Sequence, residues 1–433
     1  MGDTSRSQTV STTLQRIAEQ AVQYPDMVFT TLAHRIDVDL LHEAHKRTSK
    51  KSAPGLDKVS AKDYAENLEE NLNDLHERLR SGKYVAPPVE RVWIDKENGK
   101  KRPIGKPTFE DKIVQRAVEM LLSAIYEQMF YEFSHGFRKG HNQHQAIHEL
   151  REKCRVVNIR WILNADITGL FDNIDHGYLR EIIKQKVNDG GILRLLGKWL
   201  NAGVMEEDRI TYPDKGTPQG GVISPVISNI FLHHVLDEWF VKEAKPRMKG
   251  RCFIIRWADD FILGFELESD AQRIKKVLPK RFGRFGLTLH PDKTSLVSFG
   301  RPQSSLKNGK GPGTLEFLGF TFYWSKSRQG YWVTKKKTAR KRLNRFLRML
   351  WTWCKENRHE PIKEQYGTLC SKLRGFYQYY GVRSNFKALE VVFKYAGKAW
   401  RRWLSRRSHK GKVLFEELWG SFPLPKPRIV HNI

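Results

Sequence analysis

Two apolar runs that carry acids constrain this chain more than any other feature. Residues 161–167 read WILNADI, and residues 253–265 read FIIRWADDFILGF. Short apolar runs rich in β-branched and aromatic residues, bounded by turn formers, predict buried strands. Asp166 ends the first run and is followed by Thr168 and Gly169. Asp259 and Asp260 sit inside the second, with apolar residues on both sides, which predicts a hairpin with the acids at its tip. Carboxylates in apolar surroundings resist desolvation and repel one another, so they need cations. Oxygen donors of this kind suit Mg²⁺. A strand-end Asp facing a hairpin-tip Asp pair is the arrangement by which nucleotide polymerases hold two metal ions. Asp172 and Asp175 in the same stretch read as ordinary turn or cap acids.

The charge is unevenly placed. The chain of 433 residues has a net charge of +28, and residues 326–410 hold 24 Lys or Arg against 4 Asp or Glu. The preceding residues are nearly balanced, as expected of a folded body. Such an excess needs an anionic partner, and nucleic acid is the first expectation. The basic segment also carries Trp332, Trp351, Trp353, Trp400 and Trp403, most of which are expected in its core. Leu343, Phe346, Leu347, Leu350 and Trp351 keep helical spacing. Arg340, Lys341, Arg345 and Arg348 fill the rest of that helix, which predicts one apolar face and one basic face. A helix lying on a membrane surface is the weaker reading of this pattern.

Several classes are excluded. No apolar run is long enough to span a membrane. Four cysteines without a C-x-x-C pair make neither a disulfide scaffold nor a zinc ribbon. The N-terminus lacks an apolar core and contains Asp3, Glu19 and Asp26, unlike a targeting signal. A reduced, intracellular setting is expected.

Along the chain, residues 1–51 read as a helical extension, and KSAPGL at 51–56 opens the main body. Residues 63–80 predict a helix with Leu68, Leu72, Leu75 and Leu79 on one stripe, 91–94 a strand with a basic turn behind it, and 112–130 a strong helix. QSSLKNGKGPG at 303–313 predicts a polar loop, and after Tyr323 the pattern predicts helices.

Further segments occur in a fixed order. They are SAPGLDKVS (52–60), KKRPIGKPTFEDKIVQRAV (100–118), FSHGFRKGHNQHQAI (133–147), NADITGLFDNIDH (164–176), KGTPQGGVISPVISNIFL (215–232), RWADDFIL (256–263), GLTLHPDKT (286–294) and LEFLGF (315–320). KLRGFYQYYG (372–381) follows in the basic region. Together they resemble the reverse transcriptases encoded by bacterial group II introns and their group II-like relatives. The resemblance implies an α+β right-hand polymerase, with fingers and an antiparallel palm sheet followed by an α-helical thumb or maturase domain. It divides the chain into an N-terminal extension (1–51), fingers and palm (52–325), thumb/maturase domain (326–410) and tail (411–433).

By the same resemblance the chain is an RNA-directed DNA polymerase, cytoplasmic in a bacterium. Asp166, Asp259 and Asp260 are implied as catalytic residues that bind two Mg²⁺, with Mn²⁺ as a possible substitute. Arg102, Phe171, Gln219 and Lys293 are implied at the nucleotide, with the Phe171 ring excluding a 2′-hydroxyl. Arg138, Trp257, Arg340 and Arg345 are implied at template and primer. The implied partners are an RNA template, a DNA primer, dNTPs and a structured intron RNA. A domesticated enzyme of repair or phage defence, and a splicing factor in which polymerisation is secondary, are the alternatives. This chain departs from the family pattern at Lys106, usually apolar, at Lys139, usually Pro, and at Trp257, usually Tyr. An indole keeps stacking area but loses a hydroxyl, so primer positioning and fidelity are expected to differ.

Overall fold

The structure, a computed structural model, describes residues 2–95, 101–156, 158–206, 209–212, 215–216, 220–302, 312–407 and 415–433. The chain opens with α1 (Gly2–Gln23) and α2 (Val38–Arg47), the second capped by the Asp37 carboxylate on the Leu40 N–H. The segment expected as one helix over 63–80 is two, α3 (Ala61–Glu66) and α4 (Leu68–Arg80), with the whole leucine stripe on α4. The chain breaks at Asn67, whose ψ of 46° is not helical. Leu72 and Leu75 are nonetheless fully buried.

Strands β1 (Val89–Asp95) and β2 (Lys101–Lys106) form an antiparallel pair, and α5 (Phe109–Tyr126) follows, capped by Thr108. Ile113, Val114, Ala117, Val118, Leu122 and Ile125 of α5 are all fully buried, so this helix is enclosed on most sides. Next come α6 (Gln143–Val156), β3 (Trp161–Asp166), the short α7 (Leu170–Asn173), α8 (His176–Lys184) and α9 (Gly190–Leu200). Strands β4 (Val204–Glu206) and β5 (Arg209–Thr211) join the first pair in a sheet ordered β2-β1-β4-β5. Helix α10 (Ser224–Leu232) continues as a π-helical segment from His233 to Ala244.

The sheet that matters most is built from β6 (Cys252–Trp257), β7 (Asp260–Phe265) and β8 (Ser295–Ser298) around β3. Its order is β6-β7-β3-β8 and every pairing is antiparallel. Successive side chains of a strand point to opposite faces. Leu163, Ala165, Ile254, Phe261 and Leu263 join the main core with α5, α10 and α11 (Glu268–Gly283). Ile162, Phe253, Ile255 and Ile262 face a second apolar cluster with α6. Burial on both faces is why these strands read as continuous apolar runs rather than alternating ones.

A third sheet, β11-β10-β9, consists of β9 (Leu315–Phe317), β10 (Phe320–Lys326) and β11 (Trp332–Thr338). This corrects the helical expectation after Tyr323: helices begin only at α12 (Arg340–Glu356). They continue with α13 (Ile362–Tyr380), α14 (Phe386–Leu404) and α15 (Phe415–Ser421). The helices share their own core of Leu350, Leu369, Leu373, Leu389, Val392 and Trp400. Trp400 and Trp403 are buried as expected, whereas Trp351 and Trp353 are half-buried on its edge and Trp332 lies on the hairpin under Lys326. The last residues return to the body. The Val430 and His431 N–H groups donate to the Gly381 carbonyl, and Ile433 packs with Trp257 on the second cluster.

The four cysteines are free. Among the described residues no helix is long and apolar enough to cross a membrane.

Candidate active site

Asp166 is the last residue of β3 and stands directly opposite Asp260, the first residue of β7, in the antiparallel register. β6 and β7 are joined by a two-residue turn, Ala258-Asp259, with Trp257 paired to Asp260. Ala258 has φ of 54°, a left-handed value that such tight hairpin turns require. The expected hairpin with acids at its tip is therefore the observed one. The backbone beyond Asp166 is pinned as well: the His290 N–H donates to its carbonyl at 2.8 Å.

Three cations come from separate parts of the chain. Lys293, in the 3₁₀ turn before β8, places its Nζ 2.5 Å from Asp166 Oδ2. Arg342, in the first turn of α12, lines the same cleft as Asp166, Asp260 and Lys293, a space of about 460 Å³. Arg102, exposed on β2, lies close enough for its charge to act on Asp259. Burial, with Asp166 as the next cause, raises the Asp259 carboxyl above its usual range, and Arg102 and Lys293 oppose the rise. Asp260 is pushed up to about 7 by burial and by the charges of Asp166 and Asp259, against the pull of Lys293 and Arg342. Two carboxylates held reluctant to ionise by burial and by the charge of Asp166 are the mark of a site that takes cations.

Other expected residues fall in varied places. Phe171 is half-buried in α7, a short helix opened by Gly169 at φ 54°. A Cβ on Gly216 would come within 2.8 Å of the Phe171 carbonyl, so residue 216 lies directly on that helix. Asp175 is indeed a cap, accepting from the Tyr178 N–H. Gln219 lies outside the described residues; its neighbour Gly220 approaches β2, where a Cβ would meet the Gly105 carbonyl at 2.5 Å. Arg340 and Arg345 are exposed on α12. Trp257 is half-buried against the second cluster, alongside Leu318, Tyr379 and Tyr380.

Arg138 is not turned toward the cleft. Its guanidinium is buried, donating to Glu127 Oε2 and to the carbonyls of Tyr131 and Ser134, each at 2.8 Å. Its exposed neighbours are Phe137 and Lys139. Arg342 was not singled out by sequence, because nothing distinguishes it from the other basic residues of KKKTARKRLNR. Arg256 was missed too, although a charged residue inside an apolar strand run is a readable signal.

Among the described residues no three His, Cys, Asp or Glu side chains already enclose a metal position. The donor set still fits a hard divalent cation, because it supplies only carboxylate oxygens, each either raised in pKa or held by a lysine.

An acid-tipped hairpin crossing an acid-ended strand, with cations arriving from a neighbouring sheet and helix, defines a polymerase-type site. The profile of the family described as reverse transcriptase (RNA-dependent DNA polymerase) matches residues 94–322, and the chain belongs to that family. Group II intron-encoded protein LtrA of Lactococcus lactis subsp. cremoris is 38% identical over 238 residues, covering 54% of this chain and 39% of that protein. Protein YkfC of Escherichia coli K12 is 31% identical over 324 residues, covering 66% of this chain and 84% of that protein. Nuclear intron maturase 1, mitochondrial, of Arabidopsis thaliana is 27% identical over 124 residues, 27% of this chain and 17% of that protein. The matched stretch thus spans about two fifths of the length of the Lactococcus relative. The family is in general dependent on divalent metal.

Proposed function

We propose that this chain is an RNA-directed DNA polymerase that also binds structured group II intron RNA as a maturase. The observation that carries the reading is the pairing of Asp166 with Asp260 across β3 and β7, with Asp259 in the adjoining turn. In this reading the β6-β7-β3-β8 sheet is the palm and the β2-β1-β4-β5 sheet belongs to the fingers, within residues 52–325. Residues 326–410 are the thumb/maturase domain, entered through the β10–β11 hairpin, with 1–51 as the N-terminal extension and 411–433 as the tail.

Asp166, Asp259 and Asp260 hold two Mg²⁺, for which Mn²⁺ can substitute. When bound, the ions supply charge neutralisation at the attacking 3′-oxygen and at the departing pyrophosphate. The chain's own residues do the rest. Lys293 holds the Asp166 carboxylate by its ion pair and stands where it would meet the nucleotide phosphates. Arg102 brings a guanidinium from the fingers to the triphosphate, whose oxygens match its fork. Phe171 fills the space of a 2′-hydroxyl, which favours dNTPs. Gln219 contacts the incoming nucleotide. Arg340, Arg342 and Arg345 neutralise backbone phosphates of the template–primer duplex at the start of α12.

The test is primer extension on an RNA template with Mg²⁺. Asp259→Ala is expected to abolish dNTP incorporation, and full activity in that variant would end the polymerase reading. Splicing of an intron RNA by the same variant measures whether RNA binding is separable from polymerisation.

A further inference from the structure

Behind the acid-bearing turn lies a buried ion pair that polymerisation chemistry does not itself call for. Arg256, the penultimate residue of β6, and Asp237, in the π-helical segment, are both fully buried. Arg256 Nη2 is 2.6 Å from Asp237 Oδ2, and Nε donates to the same carboxylate at 2.9 Å. Nη1 has two further acceptors: Asn229 Oδ1 at 2.9 Å and the carbonyl of Ala258, inside the turn, at 3.2 Å. Asn229 passes the connection on, donating from Nδ2 to the Gly136 carbonyl at 2.7 Å. Gly136 in turn lies so close to the turn that a Cβ there would come 2.3 Å from the Ala258 nitrogen. The Arg256 backbone is clamped on the same side: its N–H donates to Phe133 and its carbonyl accepts from His135, at 2.8 and 2.9 Å.

We propose that Arg256, with Asp237 and Asn229, is a positioning residue that fixes the Ala258-Asp259 turn and thereby the separation of Asp259 and Asp260 from Asp166. The physical reason is mutual. The three acids repel and would spread the turn unless it is braced from behind. A buried ion pair is a poor stabiliser compared with apolar residues of the same size, so its value must lie elsewhere. The guanidinium fork ties one helix, one turn carbonyl and, through Asn229, the 133–136 segment to a single point. Its own charge is cancelled by Asp237, with which it is fully buried. The brace therefore acts by geometry and not as a counter-ion. A one-ångström displacement of such groups is enough to cost about a hundredfold in rate.

The inference rests on the polymerase reading, and its test separates the two. Arg256→Lys keeps the charge and loses the fork. Arg256→Met with Asp237→Leu replaces the pair by apolar side chains and is expected to stay folded. In both, kcat for primer extension should fall about tenfold or more while KM for dNTP and affinity for template–primer stay within about twofold. Two readouts need no turnover. Mn²⁺ binding to the protein without nucleic acid, followed by electron paramagnetic resonance, should weaken about fivefold or more. Amide exchange of residues 257–260 should quicken about tenfold or more relative to the rest of the sheet. A folded double variant with wild-type kcat, Mn²⁺ affinity and exchange overturns the proposal. If the wild-type protein does not extend primers on RNA, the polymerase reading fails, and exchange together with Mn²⁺ binding still decides whether Arg256 braces the turn.

Discussion

Replacing Asp260 by Asn should stabilise the metal-free protein while destroying the proposed activity. The carboxyl stands at about 7 against an ordinary 3.8, chiefly because it is buried and then because Asp166 and Asp259 face it. Each pH unit of such a rise is worth about 1.4 kcal/mol, so holding Asp260 ionised costs the fold about 4 kcal/mol. The sign follows from proton counting. Between pH 3.8 and about 7 the folded protein holds a proton on Asp260 that the unfolded chain has released, so stability falls as pH rises through this window and levels off above it. Asn carries no charge at any pH and escapes this loss. The expected gain is smaller at pH 5 and rises to about 4 kcal/mol at pH 8, as an upper bound because the amide must also be buried. Urea unfolding in EDTA at the two pH values, read by tryptophan fluorescence, measures it. Mg²⁺ should then stabilise wild type at pH 8 and leave the variant nearly unmoved. Equal stability of variant and wild type at pH 8, or a gain that does not grow with pH, would refute the claim that these acids strain the fold.

Three more outcomes are expected. Lys293→Ala removes a charge that lowers both Asp259 and Asp260, so the acid limb of the kcat/KM profile should move to higher pH; an unmoved limb counts against Lys293 as their partner. Trp257→Tyr should change extension rate and misincorporation by about twofold, given the ring area lost against Leu318 and Tyr379, and identical kinetics would show the indole to be neutral. Arg340→Ala and Arg345→Ala should each reduce the slope of log affinity against log salt by about 1 for an RNA·DNA hybrid, with kcat at saturating hybrid unchanged; slopes equal to wild type would place these arginines away from the phosphates.

The sequence was most legible where burial and chemistry coincide. The strands bearing Asp166, Asp259 and Asp260 are apolar on both faces, and an acid in such a run stands out. Periodicity failed where the pattern does not reach a change of backbone. The leucine stripe begins only at Leu68, after Asn67, so the spacing says nothing about the break between α3 and α4. It failed again at β11, whose inward positions are Thr334, Lys336 and Thr338. Lys336 is 2% exposed, and its burial pulls the amine down to about 8. A strand whose buried face is polar and basic looks like a solvated segment. Arg138 shows a different blindness: nothing in GFRKG tells whether a guanidinium faces solvent or three oxygens inside the protein. Arg342 is found only by fold, because its role depends on α12 starting beside Gly319 and the cleft.

The order β6-β7-β3-β8 has a consequence for how the site comes into being. Apart from the β6–β7 hairpin, neighbours in this sheet are distant in the chain, so pairing Asp166 with Asp260 closes a long loop that holds all of α7 to α10. Lys293 and Arg342 arrive later still in synthesis. Loop closure over such spans is slow and is rewarded only when the distant strand is present. A nascent chain therefore has no acid cluster until β7 has emerged, and no complete set of counter-charges until α12 has followed. Pulse-labelled exchange during refolding should accordingly protect α5 before residues 257–260, and the capacity to bind divalent metal should be among the last properties the protein acquires.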